Sequence, residues 1–121
     1  MIDISGIREL WIKGHYRALI MPTKEDNTVI VSLDIFSQKW KFKIEDETRI
    51  NDIKLVYARF KPEEIGLNNT VNSIERVEIV GAIGSNFTQT ISARIWIKVL
   101  KSEVLEEDLK LIHEKLMKLI S

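Results

Sequence analysis

The segment Ser102–Ser121 restricts the fold more than any other. Apolar side chains recur there at Leu105, Leu109, Ile112, Leu116 and Leu119, steps of four and three that draw one stripe along an α-helix. Ahead of it the dominant period is two. Thr28–Phe36 (TVIVSLDIF) is β-branched and puts Val29, Val31, Leu33 and Ile35 on one face, and Ile53–Lys61 turns Val56, Ala58 and Phe60 one way. Ile74–Ile83 and Gln89–Leu100 read the same way, as strands with one buried face. A single amphipathic helix after a strand-rich stretch must lay its stripe on a sheet. The expected fold is therefore α+β: about six mostly antiparallel strands forming a strongly bent sheet or small barrel, with a C-terminal helix over about residues 103–120.

The connections carry turn chemistry. Pro22–Asn27 (PTKEDN) is a turn by composition, and Glu45-Asp46-Glu47 reads as an acidic turn after the strand Gln38–Ile44 (QKWKFKI). Pro62–Gly66 has proline first and glycine last, the pattern of one helical turn. The start is ambiguous: Ile4, Ile7, Leu10 and Trp11 have helical spacing, whereas Ile12, Tyr16, Ala18 and Ile20 suit a strand. We read a strand from about Trp11, bent near Gly14. Ser102 is placed to cap the helix, with Glu103, Glu106, Glu107 and Asp108 near its positive end and Lys115 and Lys118 near its negative end. Glu106–Lys110 and Glu114–Lys118 add i,i+4 pairs. No repeat or boundary divides residues 1–121, so one domain is expected, a β-rich core over 1–101 and the helix over 102–121.

Composition removes several function classes. There is no cysteine, hence no disulfide framework, thiolate zinc site or cysteine nucleophile. His15 and His113 sit on different elements without metal-ligand spacing, and no Ser–His–acid set or Gly-rich phosphate loop is present. No enzyme activity, cofactor, metal or small-molecule substrate is expected. The first residues, MIDISGIREL, hold no apolar signal core, and no run approaches the roughly 18 apolar residues of a membrane span. A cytoplasmic protein is expected, and the two Asn-x-Thr sequons at Asn68 and Asn86 are read as chance. Abundant Ile, Lys and Glu lean toward a thermophilic source.

Lys plus Arg equals Asp plus Glu, 18 of each, so bulk charge points to no partner and the placement of charges must. In the first strand Trp11, Lys13, His15 and Arg17 share one side. Lys39, Lys41 and Lys43 share a side in QKWKFKI; Tyr57, Arg59 and Lys61 lie opposite Val56, Ala58 and Phe60; Arg94, Trp96 and Lys98 lie opposite Ala93, Ile95 and Ile97. Acidic residues gather in turns and in the helix. Cations that neutralise phosphates beside rings that stack on bases suit single-stranded nucleic acid, DNA or RNA. The contact residues expected are Trp11, Lys13, Arg17, Lys39, Lys41, Lys43, Tyr57, Arg59, Arg94, Trp96 and Lys98. Two readings of Trp11 and Trp96 stay open: exposed on this basic face, or covered by the C-terminal helix.

Val80–Phe87 (VGAIGSNF) resembles the I-G-x-x-G-x-x-I loop of KH domains, which clamps a nucleic-acid backbone. That loop joins two helices, whereas Ile74–Ile79 alternates as a strand, so the segment is read as a β-turn. The alternative function is a protein–protein interaction module or complex subunit, a barrel-plus-helix architecture broadly similar in element order to PH-like domains. Val104 and Leu111 lie off the main helix stripe and Met117 on its other side. A helix apolar on more than one face is often buried between two partners, so a homodimer through Val104 and Leu111 is expected.

Overall fold

The computed structural model describes residues 8–12, 16–35, 42–84 and 89–120. Seven strands form one antiparallel sheet: β1 (Arg8–Ile12), β2 (Tyr16–Pro22), β3 (Thr28–Ile35), β4 (Asp46–Ile50), β5 (Ile53–Phe60), β6 (Ser73–Ile83) and β7 (Gln89–Lys98). Their order across the sheet is β1-β2-β3-β7-β6-β5-β4. The chain lays down one meander, moves to the far edge, and works back until β7 zips onto β3 from Thr28↔Lys98 to Ile35↔Ile91. Among the described residues the sheet stays open, with β1 and β4 as its edges. Helix α1 (Leu105–Ile120) follows, and the architecture is α+β.

One face of the sheet is apolar because every strand across its centre alternates. Ala18 and Ile20 of β2, Val29, Val31, Leu33 and Ile35 of β3, Val77 and Ile79 of β6 and Ile91, Ala93, Ile95 and Ile97 of β7 form a single buried cluster with Leu105, Leu109, Ile112 and Leu116 of α1. All four helix residues are fully buried, each contributing about 1.5–3 kcal/mol by leaving water. A 3₁₀ turn at Pro62–Ile65 adds Ile65 to that core, and Gly66 follows in the left-handed region at φ 73°. An L residue pays a steric cost there that glycine avoids.

Four local expectations change. The first strand is two: β1 and β2 pair antiparallel, Ile12 with Tyr16 and Trp11 with Arg17, where one bent strand was expected, and the expected bend at Gly14 lies outside the described residues. The strand expected at QKWKFKI does not reach its end, since Phe42, Lys43 and Ile44 lie outside any strand; residues 38–41 fall outside the described residues. The acidic turn is displaced: Asp46 and Glu47 begin β4, and the reversal is at Asn51-Asp52, where Asn51 takes φ 53°, a conformation asparagine tolerates better than most residues. Ser102 does not cap the helix. It starts a 3₁₀ turn, Ser102–Val104, whose cap position belongs to Lys101 and has no side-chain cap hydrogen bond. Val80-Gly81-Ala82-Ile83 belong to β6, which removes the helix that a KH loop requires. The pair Glu106–Lys110 is present at 3.9 Å.

Asp108, expected near the positive end of the helix, is buried. Its carboxylate accepts the Asn72 backbone N–H at 3.0 Å and the Asn72 side-chain amide at 2.8 Å. Asn72 Oδ1 in turn accepts the backbone N–H groups of Leu100 and Lys101 at 2.8 and 2.9 Å. These two side chains tie the loop before β6, the β7–α1 connection and the helix together. The polar groups are satisfied by each other, as burial demands.

Candidate functional site

The helix covers one face of the sheet, and the residues between the core positions populate the other. Register places them in rows across the strands. Met21 of β2 lies opposite Ile30, Ile30 opposite Trp96, and Trp96 opposite Arg76. In the next row stand Leu19, Ser32, Arg94, Glu78 and Arg59. Trp96 is half-buried and outside the core cluster, so it belongs to the helix-free face.

An irregularity between Ile74 and Arg76 inserts Glu75 into β6. Such a bulge re-aims the side chains that follow it. The Arg76 guanidinium lies over the Trp96 ring, 3.7 Å from its centroid. Arg76 Nε also stands 3.1 Å from Glu78 Oε1, an ion contact whose N–H points off the line of a hydrogen bond. The Tyr57 hydroxyl donates to the same Glu78 oxygen at 2.7 Å, and Arg59 Nε donates to the Tyr57 hydroxyl at 3.2 Å. The bond to Tyr57 and its charge when ionised, with the charges of Glu45 and Glu78, raise the Arg59 pKa above its ordinary value. Arg59 stays cationic throughout the working range. The chain Trp96–Arg76–Glu78–Tyr57–Arg59 thus fixes one aromatic ring and two guanidinium groups on a surface that is otherwise open to water.

Charge on this face is uneven. Arg17 is neutralised by Asp34 at 3.0 Å, and Glu78 serves Arg76. Arg94 and Lys98 are exposed on β7 on either side of Trp96, and among the described residues neither has a carboxylate in ion-pair reach. Positions two apart on a strand share a face at about 6.8 Å, so Arg94, Trp96 and Lys98 make a strip about 14 Å long. Beside it opens a groove of about 510 Å³ lined by Lys24, Glu25, Thr28, Ile30, Arg76 and Trp96.

The expected contact residues therefore divide. Arg17, Tyr57, Arg59, Arg94, Trp96 and Lys98 are brought to one face of one sheet. The backbone of Trp11 lies opposite that of Arg17. Lys43 is exposed before β4, away from the β7 strip in the sheet order. Lys13, Lys39 and Lys41 lie outside the described residues. Val104 and Leu111 are half-buried. Sequence reasoning missed Arg76 and Glu78, although the alternation Arg76-Val77-Glu78-Ile79 already separates their side from the core side. Among the described residues no group of His, Asp and Glu is placed to hold a metal ion, and no helix is long and apolar enough to cross a membrane. No family model, curated protein or solved structure matches this chain.

Proposed function

We propose that this protein binds single-stranded nucleic acid, DNA or RNA, without catalysis and in the cytoplasm, along the β7 strip of its helix-free face. Bases stack on the Trp96–Arg76 pair while phosphates meet Arg94 and Lys98. The observation that supports this most directly is the Arg76–Trp96 stack flanked by cations that have no carboxylate partner among the described residues. A guanidinium held over an indole leaves its own outer side for a base, and Arg76 keeps 43 % of its side chain exposed. Stacking of this kind tolerates any base, so little sequence preference is expected. Fluorescence anisotropy of a labelled oligonucleotide tests it. Single strands should bind more tightly than duplex of equal length, with Trp96→Ala weakening the complex. No binding at low salt, or equal binding by the variant, rejects the reading.

A second reading is a protein-interaction module, which rests on Val71 and Leu100. They are 48 and 61 % exposed and border a second cavity of about 610 Å³ beside the Asn72 loop. Large apolar side chains gathered on a surface mark contact sites for other proteins. If this surface carries the function, Leu100→Lys will remove partner binding and leave the oligonucleotide titration unmoved.

A further inference from the structure

We propose that the outer edge of β4 joins two copies of this chain into one continuous antiparallel sheet. All five residues of β4 are exposed, and among the described residues the strand ends the sheet opposite β1. An unpaired edge offers N–H and C=O groups to another strand. Which residues offer them follows from the hairpin register. Ile50 and Ile53 flank the two-residue turn and form a hydrogen-bonded pair, so alternation points the backbone groups of Thr48 and Asp46 at β5 and those of Glu47 and Arg49 outward. The Glu47 N–H is meanwhile held by the Asp46 carboxylate at 2.8 Å.

Only outward-facing residues can pair by hydrogen bonds across a new two-fold junction, which leaves three registers. Centring on Glu47 sets Glu47 against the partner's Glu47, and centring on Arg49 sets Arg49 against the partner's Arg49. Like charges directly opposite each other are destabilising. Centring on Thr48 sets Glu47 opposite the partner's Arg49 twice, with Thr48 meeting the partner's Thr48, and favourable pairs result at all three positions.

The isolated chain leaves Arg49 in need of such a partner. Its cross-strand neighbour is Lys54, a like charge, and the Lys54 ammonium lies 3.3 Å from Glu47. Among the described residues Arg49 has no carboxylate of its own. Exposed Ile44, Ile50 and Ile53, at 41, 54 and 45 %, surround the same strand and supply apolar area to the contact. On docking, the partner's Arg49 carbonyl replaces the Asp46 carboxylate on the Glu47 N–H. Antiparallel pairing keeps both helix-free faces on one side, with the two β7 strips about 34 Å apart across seven inter-strand spacings. That last consequence rests on the nucleic-acid reading; the junction does not.

Charge reversal tests the junction without any ligand. Sedimentation over a concentration series should show a reversible monomer–dimer equilibrium for the unmodified protein, in the sub-millimolar range suited to a short edge contact. Glu47→Lys and Arg49→Glu each place like charges opposite each other in the Thr48 register, and each should raise the dimer dissociation constant more than tenfold. Both side chains are exposed, so circular dichroism should show the native fold in each. An equimolar mixture of the two variants restores opposite charges at both positions and should dimerise. The proposal is overturned if the unmodified protein is monomeric at millimolar concentration, if either single variant dimerises unchanged, or if the mixture stays monomeric. It is also overturned if Leu111→Lys, and not the β4 variants, abolishes the dimer, which would give the contact to the helix.

Discussion

Arg76 and Trp96 face each other across the β6–β7 ladder, guanidinium over indole at 3.7 Å, on the side of the sheet that the helix leaves open. Glu78 holds the guanidinium from one side and the ring supports it from below. A pair fixed in this way presents a planar cation at little further entropic cost on binding.

Trp96→Ala should weaken binding to a single-stranded oligonucleotide by about 1–3 kcal/mol, the range for one stacked base. Trp96→Phe keeps a ring and should recover most of that loss. The check is a titration of both variants at one salt concentration, with thermal melts to show that each is folded. A phenylalanine variant as weak as the alanine variant would remove stacking from the account.

Arg76→Lys separates planarity from charge. Lysine keeps the positive charge but lacks the flat face, so affinity should fall by about 1 kcal/mol while the dependence on salt stays as it was. Titrations at several ionic strengths read both quantities together.

Arg94 and Lys98 should contribute in the opposite manner. Changing both to glutamine removes two phosphate contacts, each worth about 0.7 in the slope of log K against log salt for single strands. The slope should become shallower by about 1.4, and the ratio of affinities for different base sequences should hold constant. A slope that does not move would assign these cations to solvent alone.

How far the sequence could be read follows from what each residue faces. The helix stripe and the core strands were legible because burial on one side prints a period, as at Val29, Val31, Leu33 and Ile35. Strand β4 was not. Its sequence, Asp46-Glu47-Thr48-Arg49-Ile50, is exposed throughout and has no apolar alternation to betray it, although Asn51-Asp52 between Ile50 and Ile53 carried a turn signal. The antiparallel pair β1 and β2 was read as one bent strand because Gly14 suits either. The cations of the open face could be grouped by parity alone, which placed Arg94, Trp96 and Lys98 together. Parity could not show that Asp34 neutralises Arg17 or that Arg76 lies on Trp96, because both pairings depend on register between strands.

The core offers a test that should leave binding untouched. Leu109 and Leu116 are fully buried against the sheet, so Leu→Ala at either should cost about 2–5 kcal/mol, from lost transfer energy and the cavity left behind. Denaturant unfolding measures the cost directly. Below the melting transition each variant should still bind the oligonucleotide, because the β7 strip lies on the far side of the sheet.

The Asn72–Asp108 clasp should behave as a unit. Asp108→Ala strips an acceptor from the buried N–H and side-chain amide of Asn72. Asn72→Ala strips the acceptor from Leu100 and Lys101 and leaves the Asp108 carboxylate short of a donor. Each orphaned buried group costs about 1–3 kcal/mol, and more where a charge is involved. The double variant removes both halves together, so its loss should be smaller than the sum of the single losses by about 0.5–3 kcal/mol. A double-mutant cycle by urea unfolding reads this coupling. Strict additivity would mean that the two side chains act separately, one on the loop and one on the helix, despite the 2.8 Å between them. Because the clasp ties the loop before β6 to the start of the helix, its loss should also speed amide exchange at Val71, Asn72, Leu100 and Lys101 before the rest of the sheet. Uniform acceleration across β3, β6 and β7 would show instead that the clasp supports the fold only globally.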